Sequence, residues 1–432
     1  MKPWKTLKPH PLQLEYLSCR SRFVVVPAGR RSGKTECAKR RMIRKALSDT
    51  GHSDSWYICG APTHGQAKRI FWRDLKMMIP RKFMMRPPSE GQLSITLANG
   101  AEISVVGLDA PERIEGRSIN GAVLDEYGNM KPSVWGEHLR PALSDRLGWC
   151  DFIGVPEGRN HYYDLYKAAQ ADDSGQWSTF TWTSEEILPP GEIEAAKRDL
   201  DELTFNQEYR ASFVTFTGRA YYAFDEGLHL GTTEYNPSLP LIFCFDFNVS
   251  PGVAVICQEH DIGGDGLTHV IGEVYIPRDS NTPMVCRKLL QDWGSHPGDV
   301  FCYGDATGGA KTTSAVRGSD WDLIKSELKP EFGPRIKFRV DRSNPKERIR
   351  VNSMNSRLKS ADDIVRMVID PSKAPNLVKD LEGVRVVDGG SGEIDKKSDP
   401  KLTHMTDALG YYISKRHPVR GARTITRSES VL

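Results

Sequence analysis

Apolar residues along the chain follow two patterns that predict different elements. Short apolar runs, such as residues 22–27 and 241–247, have the length and composition of buried strands. After the first run, over residues 34–48, apolar positions recur at helical spacing. The apolar side of that helix consists of Ala38, Met42, Ile43 and Ala46. Strands that alternate with helices predict an α/β protein.

A turn of small and basic residues joins the first strand to the first helix. A phosphate loop needs this order, because the first N–H groups of the helix and the positive end of its dipole face the anion. Lys34 is expected to neutralise the β and γ phosphates of ATP, and the Thr35 hydroxyl is expected to ligate Mg²⁺. The loop pattern places a glycine five residues before Gly33, where this chain has Ala28, so Gly29 is the candidate to carry the turn.

A pair of carboxylates follows a second short strand, Ala122–Leu124. A carboxylate at a strand end beside a phosphate loop can hold the magnesium shell, and the next one can polarise water for attack on the γ phosphate. Asp125 takes the first role and Glu126 the second. An acidic turn that merely ends a strand is the alternative, but order and spacing relative to Lys34 favour the catalytic interpretation.

Three aspartates stand out in the second half. Asp246 lies inside an apolar run, Asp305 ends a predicted strand, and Asp407 lies on a late helix. An ionised carboxylate in an apolar run is costly unless it is hydrogen-bonded, neutralised or bound to metal. Together, three such groups can hold two divalent metals about 3.5 to 4 Å apart and cut a phosphodiester by in-line attack of water. Two further candidates for this site are Glu273 and Asp399.

The order of several stretches resembles the large terminase subunits of tailed bacteriophages, which package DNA. These stretches are Gln13 and residues 28–35, 60–72, 113–126, 154–163, 344–358, 369–384 and 403–412. The resemblance implies an N-terminal P-loop ATPase with a mainly parallel sheet flanked by helices, and a C-terminal RNase H-like α/β nuclease domain. The predicted domains are 1–209 and 239–420, with a linker at 210–238 and a flexible basic tail at 421–432.

The resemblance also implies roles for individual residues. Those predicted to bind ATP are Gln13, Gly29, Arg30, Arg31, Ser32, Gly33, Lys34, Thr35 and Asp125. The predicted catalytic residues are Arg30, Lys34, Glu126, Asp246, Asp305 and Asp407. Thr35 and Asp125 would hold Mg²⁺ at the ATPase site, and the three later aspartates would hold two Mg²⁺ or Mn²⁺ ions at the nuclease site.

For Arg30, the segment Gly154–Pro156 and Gln13, the prediction is more specific. Arg30 matches an arginine implicated in triggering hydrolysis, and Gly154–Pro156 matches the segment that couples hydrolysis to movement. The Gln13 amide could read the adenine edge, although a lone glutamine is often a plain surface residue.

The function that the resemblance implies is a viral DNA-packaging motor. It would hydrolyse ATP to move double-stranded DNA into a procapsid, and it would cut concatemeric DNA. The implied partners are double-stranded DNA, a small terminase subunit and the portal protein. Copies of the chain would form a ring on the portal, with a monomer in solution as an alternative. Arg40, Arg41 and Arg44 are candidates for a face near a neighbouring copy.

Composition narrows the class of protein. With 432 residues, 38% of them hydrophobic and 27% charged, the chain predicts a folded protein of two domains. The eight cysteines form no CxxC pair, which predicts reduced, mostly buried thiols and no zinc site. The apolar runs are far shorter than the roughly 20 residues a bilayer needs, and the N-terminal stretch has no secretory signal. The expected location is the cytoplasm of an infected bacterial host.

The net charge of +3 hides a local bias, since Lys and Arg gather in residues 30–45, 335–359 and 415–427. These regions suit a polyanionic partner, and solvated helix faces look similar.

Two other functional classes stay open. One is a helicase-like DNA translocase or a resolvase-type nuclease fused to an ATPase, although no second set of helicase motifs follows the first. The other is a nucleic-acid-binding module whose nuclease carboxylates are inactive.

Overall fold

The chain forms two compact units. The computed structural model describes residues 9–49, 51, 54–214, 218–247, 250–261, 266–309, 319–387, 393–396, 399 and 402–419. Unit 1 contains the described residues of Met1–Ile193 and Asn206–Thr215, and unit 2 contains those of Glu194–Phe205 and Phe216–Leu432. The predicted tail, 421–432, lies outside the described residues.

Unit 1 is built on a seven-stranded sheet. Its strands are β1 (Phe23–Pro27), β2 (Trp56–Ala61), β3 (Ser94–Thr96), β4 (Glu102–Gly107), β5 (Gly121–Asp125), β6 (Trp149–Gly154) and β7 (Trp177–Thr179). Their order across the sheet is β3-β4-β2-β5-β6-β1-β7, and every neighbouring pair is parallel except β3 with β4. The predicted mainly parallel sheet is therefore confirmed.

Helices follow most of these strands, as parallel pairing requires. In chain order they are α1 (Pro11–Ser18), α2 (Lys34–Leu47), α3 (His64–Ala67), α4 (Arg73–Met78), α5 (Arg140–Ala142) and α6 (His161–Gln170). Two further helices, α7 (Pro190–Asp199) and α8 (Glu202–Glu208), each have residues in both units. The helix predicted after the phosphate loop is α2, and the four apolar positions predicted for its inner side are fully buried.

The side chains of strand β1 show that the sheet is covered on both faces. All five of its residues are buried. Val24 and Val26 belong to one apolar cluster, whereas Phe23 and Val25 belong to another. Because successive side chains of a strand point to opposite faces, a strand buried on both sides becomes a continuous apolar run.

Unit 2 is built on a six-stranded mixed sheet. Its strands are β8 (Leu241–Asp246), β9 (Gly252–His260), β10 (Leu267–Ile276), β11 (Val300–Gly304), β12 (Ile336–Phe338) and β13 (Met367–Ile369), in the order β12-β11-β8-β9-β10-β13. Strands β8, β9 and β10 pair antiparallel, and the other neighbours pair parallel.

The helices of unit 2 complete a mixed α/β fold. They are α9 (Glu226–His229), α10 (Thr282–Trp293), α11 (Asp320–Phe332), α12 (Glu347–Leu358), α13 (Pro375–Gly383) and α14 (His404–Arg416). An apolar cluster from β8, β9, β10, β11, α10 and α11 forms the core on one side of the sheet. Helix α14 contacts β8, β9 and β11, and nearly all of it is buried.

Two predictions from composition can be compared with the fold. All eight cysteines are free thiols, and seven of them are buried. In the part of the chain that the structure describes, no helix combines the length and apolar character needed to cross a membrane.

Candidate active sites

The turn between β1 and α2 is held by its neighbours in unit 1. Ala28 N donates to Gly154 O, and Gly29 N donates to Trp182 O, both at 3.0 Å. The left-handed backbone positions of the turn are Arg31, with φ of 60°, and Gly33, with φ of 82°. Since only glycine adopts such angles without strain, Gly33 suits the step into the helix.

Gly29 has a different role from the one predicted, because its φ is not left-handed. A Cβ there would lie 2.4 Å from Ser184 Oγ and 2.5 Å from Tyr209 O. The residue is glycine because other parts of unit 1 approach its backbone too closely for any side chain. The prediction that Gly29 carries the turn is therefore wrong, and Arg31 and Gly33 carry it.

Ser32 lies at the base of the turn with an unused polar atom. Its carbonyl oxygen accepts from Gln13 Nε2 at 2.8 Å and from Trp182 Nε1 at 2.9 Å. Its hydroxyl is buried and has no hydrogen-bond partner among the described residues. A buried polar atom without a partner is costly, and a bound phosphate would satisfy it.

Gln13 is 4% exposed and both ends of its amide already have partners in the protein. Its Oε1 accepts from His10 N at 3.0 Å, while Nε2 donates to Ser32 O. A Cβ on Gly33 would come within 2.9 Å of Gln13 Nε2. Gln13 therefore braces the phosphate loop, and its contact with adenine stays a prediction.

Lys34 and Thr35 begin α2 beside the end of β5. Lys34 is 6% exposed, and its Nζ donates to Gly29 O at 3.3 Å. Thr35 Oγ1 donates to Asp125 Oδ2 at 2.8 Å. Burial raises the pKa of Asp125, while the Lys34 ammonium and the Thr35 hydroxyl oppose that rise. A hydroxyl and a carboxylate side by side are ligands that Mg²⁺ accepts, so the residues present fit the ion.

Glu126 follows Asp125 in a left-handed backbone conformation, with φ of 56° and ψ of 42°. A non-glycine residue rarely adopts this conformation, which clusters at functional sites. Burial, followed by the charge of Asp125, raises the pKa of Glu126 to about 7, although Lys34 and Arg30 lower it. A carboxyl group with this pKa can accept a proton near neutral pH.

Arg30 is held by Glu208, a residue that was not predicted. The Arg30 guanidinium and the Glu208 carboxylate form an ion pair, and Arg30 N donates to Glu208 O at 2.6 Å. Ser184 Oγ donates to Arg30 O at 2.6 Å. Burial lowers the pKa of Arg30, but the charges of Glu208 and Glu126 outweigh it and raise the pKa. Arg30 thus lies within electrostatic reach of the candidate base.

The three arginines predicted for a face near a neighbouring copy differ in exposure. Arg44 is exposed, and Arg40 is half-buried and paired with Glu36. Arg41 is fully buried and forms an ion pair with Asp151, with 2.8 Å between Nε and Oδ2. The suggestion that Arg41 lies on a face near a neighbouring copy is therefore wrong, because its guanidinium is buried inside unit 1.

The three aspartates of unit 2 come from β8, the end of β11 and α14. Asp246 is the last residue of β8, and Asp305 follows the last residue of β11. Because β8 and β11 are parallel neighbours, their carboxyl ends meet at one edge of the sheet. The charge of Asp246 influences the pKa of Asp407, and all three carboxylates influence the pKa of Tyr411. The structure thus brings the three predicted acids into one electrostatic neighbourhood.

Each carboxylate also has partners of its own. Asp305 Oδ1 accepts from Asn344 Nδ2 at 2.7 Å and from Thr307 Oγ1 at 2.6 Å. Asp305 Oδ2 accepts from the Tyr411 hydroxyl at 3.3 Å. Burial raises the pKa of Asp305, but hydrogen bonds from Thr307 and Asn344 outweigh it and lower the pKa.

Asp407 is neutralised by two cations. Its Oδ1 lies 2.5 Å from Arg350 Nη2, and its Oδ2 lies 3.3 Å from Lys396 Nζ. Burial raises the pKa of Asp407, and these two cations oppose the rise. His404 Nδ1 lies 3.0 Å from Asp246 Oδ2. In this arrangement, each side-chain oxygen of Asp407 is paired with a cationic side chain of the protein.

This arrangement does not fit a bound metal pair. Within the ranges described, no three His, Cys, Asp or Glu side chains form a group that could hold a metal ion. A divalent ion at Asp407 would have to displace Arg350 and Lys396 from its oxygens. The chemistry of the carboxylates suits Mg²⁺ or Mn²⁺, but their present geometry does not.

Glu273 has a structural role. Its Oε1 accepts from Asn376 Nδ2 at 2.6 Å, and its Oε2 accepts from Leu377 N at 3.0 Å. It thereby satisfies N–H groups in the first turn of α13. These contacts give no support to Glu273 as a metal ligand. Asp399, the other further candidate, accepts at its backbone oxygen from Leu402 N at 3.3 Å, and its role stays a prediction.

Sequence reasoning missed the partners that hold the predicted residues. They are Trp182, Ser184 and Glu208 in unit 1, and Asn344, Arg350, Lys396 and His404 in unit 2. His404 had a local signal, since it lies one helical turn before Asp407. Glu208 had none, because it lies 178 residues after Arg30.

In sequence, about half of the chain is similar to large terminase subunits of phages. Residues 26–227 match the family described as terminase large subunit, T4likevirus-type, N-terminal. The large terminase subunit of Thermus phage G20c is 28% identical over 273 residues, which are 53% of this chain and 56% of that protein. The large terminase subunit of Escherichia phage T5 is 26% identical over 212 residues, which are 48% of this chain and 47% of the phage T5 protein. The chain thus spans about half the length of the curated relatives it matches.

The fold extends the likeness to nearly the whole chain. A solved structure of the large terminase from a thermophilic bacteriophage covers 94% of this chain and 98% of its own, with a TM-score of 0.62 and 14% identity. A second structure of that protein, in complex with ADP, has a TM-score of 0.61. The predicted fold class of two joined α/β domains is confirmed.

Proposed function

We propose that this chain is a large terminase subunit like those of tailed bacteriophages, and that its unit 1 hydrolyses ATP to move double-stranded DNA. The observation that carries the proposal is the contact between Thr35 and Asp125, with Glu126 next in the chain. It joins a hydroxyl and a carboxylate for Mg²⁺ to a carboxyl group whose pKa is about 7.

ATP would lie on the turn between β1 and α2. The buried Ser32 hydroxyl and the Lys34 ammonium suit its phosphates, and the first turn of α2 presents free N–H groups to them. Mg²⁺, held by Thr35 and Asp125, would neutralise phosphate charge when bound. The ADP complex of the terminase from the thermophilic bacteriophage supports a nucleotide as the ligand of this fold.

Glu126 would take the proton of the attacking water. Its ionised form is the active one, so Lys34 and Arg30 assist by lowering its pKa. Arg30, held by Glu208, would be free to stabilise phosphate charge if that ion pair opened.

The test of this site compares ATP binding with hydrolysis. Glu126→Gln is expected to bind a fluorescent ATP analogue as the parent does and to lose hydrolysis by about 10² to 10⁴-fold, the usual effect of removing a general base. Lys34→Ala is expected to lose both. Hydrolysis by Glu126→Gln at the parental rate would refute the role of this carboxylate.

For unit 2, we propose the cutting of double-stranded DNA with Asp246, Asp305 and Asp407 as the essential acids. Support comes from the shared sheet edge of β8 and β11 and from the electrostatic coupling of the three groups. Because Arg350 and Lys396 occupy Asp407, the two-metal scheme stays a proposal and no cutting step is derived through it.

The position of Asp407 can be tested alone. Asp407→Ala is expected to lose plasmid cutting with Mg²⁺ or Mn²⁺ and to keep ATP hydrolysis. Cutting at the parental rate would remove Asp407 from the site. Lys396→Ala offers a comparison with Asp407→Ala. It removes the lysine that contacts both Asp407 and Glu347, but it keeps all three acids.

In a cell, the two activities would package a viral genome. The proposed partners are double-stranded DNA, a small terminase subunit, the portal of the procapsid and further copies of this chain in a ring. The proposed setting is the cytoplasm of an infected bacterium. A helicase-like translocase or a fused resolvase is the alternative, and no described contact favours it.

A further inference from the structure

Unit 2 contains a cavity at the end of its sheet opposite the three aspartates. The cavity has a volume of about 630 Å³, and its lining includes four arginines: Arg198, Arg357, Arg366 and Arg416. We name it the arginine pocket. From Asp407 to Arg416, α14 rises about 14 Å at 1.5 Å per residue. The pocket is therefore separate from the candidate nuclease site.

The buried centre of the pocket is Arg357, whose side chain is 6% exposed. Its Nε donates to Thr268 Oγ1 at 2.9 Å, and its Nη2 donates to Glu259 Oε2 at 2.8 Å. Nothing in the described ranges accepts from its Nη1. Gly266 lies beside this guanidinium in the lining of the cavity, with the position of a Cβ on it 3.8 Å from Arg357 Nη2.

The acids in the lining offset only part of the charge of the four arginines, because Glu259 is paired with Arg357. Glu259 accepts from the Tyr412 hydroxyl, from Thr268 and from Arg357, and His417 Nε2 lies 3.3 Å away. Burial opposes its ionisation, but His417 and Arg357 outweigh it and lower the pKa of Glu259 to about 2. Asp199 and Asp261 lie on the exposed rim.

The remaining arginines surround the opening. Arg198 and Arg416 are exposed, and Arg366 is half-buried. Arg366 Nη1 donates to the main-chain oxygen of Arg198 at 3.0 Å, a contact that does not use the Arg198 side chain. Among the described residues, none of those that line the pocket is a Phe, Tyr or Trp on which a base could stack. Guanidinium groups without an aromatic platform suit phosphate oxygens better than bases.

We propose that the arginine pocket binds the phosphodiester backbone of double-stranded DNA, as a second contact remote from the nuclease acids. The inference rests on the proposed function in taking DNA as the polyanion. Arg357 is the fixed, buried donor, and Arg198 and Arg416 are the exposed donors that meet successive phosphates. Such contacts fix the position of DNA without reading its sequence.

The test measures binding of a fluorescein-labelled duplex to the full chain by anisotropy, without divalent metal, across a salt titration. The double variant Arg198→Ala with Arg416→Ala is expected to bind about tenfold more weakly, and its salt slope should fall by about 2, since each lost phosphate contact removes about one. Both residues are exposed, so the variant is expected to unfold at the parental temperature.

A matched double variant removes the same charge elsewhere in unit 2. Arg385 and Lys329 are exposed and lie outside the pocket, so Arg385→Ala with Lys329→Ala is expected to change the slope by less than half as much. Arg198→Lys with Arg416→Lys should restore the slope, because phosphate contacts need the charge.

Three results would overturn the inference. The first is parental affinity and slope in the pocket variant, and the second is an equal loss in the matched variant. The third is complete relief of the difference by inorganic phosphate, which would assign the pocket to a small phosphate ligand. If the parent protein does not bind the duplex, the proposed function is overturned as well. The ATPase proposal is tested separately, by measuring ATP hydrolysis in Lys34→Ala.

Discussion

The pH dependence of ATP hydrolysis offers a quantitative test of unit 1. Glu126 acts as a base only when ionised, and its pKa is about 7. Activity is therefore present above that pKa and is lost as the pH falls through it. With this pKa, about one tenth of the Glu126 side chains are ionised at about pH 6 and about nine tenths at about pH 8. The expected change in kcat/KM over this interval is about tenfold.

A neighbouring substitution checks that Glu126 is the titrating group. Arg30 lowers the pKa of Glu126 by its charge, so Arg30→Ala is expected to move the midpoint of the profile to higher pH. The ionisation of ATP itself is the same in assays of the parent protein and of Arg30→Ala. A difference between the two profiles therefore reports the ionisation of Glu126. The assay is phosphate release at constant ionic strength, with kcat/KM reporting the free enzyme.

Two results would refute this reasoning. A flat profile between pH 6 and pH 8, for a group with a pKa near 7, would exclude titration of the base in that range. A midpoint that moves to lower pH in Arg30→Ala would contradict the electrostatic influence of the arginine.

The other predictions concern the support of the phosphate loop. Gly29→Ala forces a Cβ to within 2.4 Å of Ser184 Oγ, so it is expected to lower the thermal midpoint and weaken ATP binding. Arg41→Ala leaves Asp151 buried without its cation. Breaking a buried ion pair costs about 3 to 5 kcal/mol, and urea denaturation should detect that loss.

Each of these changes has a matched control. A Cβ on Gly191 would meet nothing within 4 Å, so Gly191→Ala is expected to leave the thermal midpoint unchanged or slightly higher. Arg44 is exposed, so Arg44→Ala should lower the free energy of unfolding by less than about 1 kcal/mol, as is usual for a surface substitution. If Gly29→Ala or Arg41→Ala behaved like its control, the packing described for it would be wrong.

The sequence predicted the elements that depend on local patterns. Strand β1 and helix α2 were visible because a strand buried on both faces and an amphipathic helix leave different periods in the sequence. Asp125 and Glu126 were found because they follow a recognisable apolar strand. The carboxyl ends of parallel strands then bring such residues to one edge, which also explains the prediction of Asp246 and Asp305.

Long-range partners left no comparable signal. Arg350 neutralises Asp407 from another helix, 57 residues earlier. Arg41 was a candidate for a face near a neighbouring copy, yet it is buried and pairs with Asp151, 110 residues away. Gly29 was assigned to a turn, whereas the close approach of Ser184 and Tyr209 explains it. Such contacts depend on strand order and packing, which local periodicity does not encode.

The most direct test of a packaging enzyme with two separate sites is plasmid cleavage measured beside ATP hydrolysis, with Mg²⁺ or Mn²⁺. The parent protein is expected to show both activities. Asp246→Ala should lose cutting and keep hydrolysis, and Lys34→Ala should do the reverse. Loss of both activities in either variant, or no cutting by the parent with either metal, would contradict the proposed division between unit 1 and unit 2.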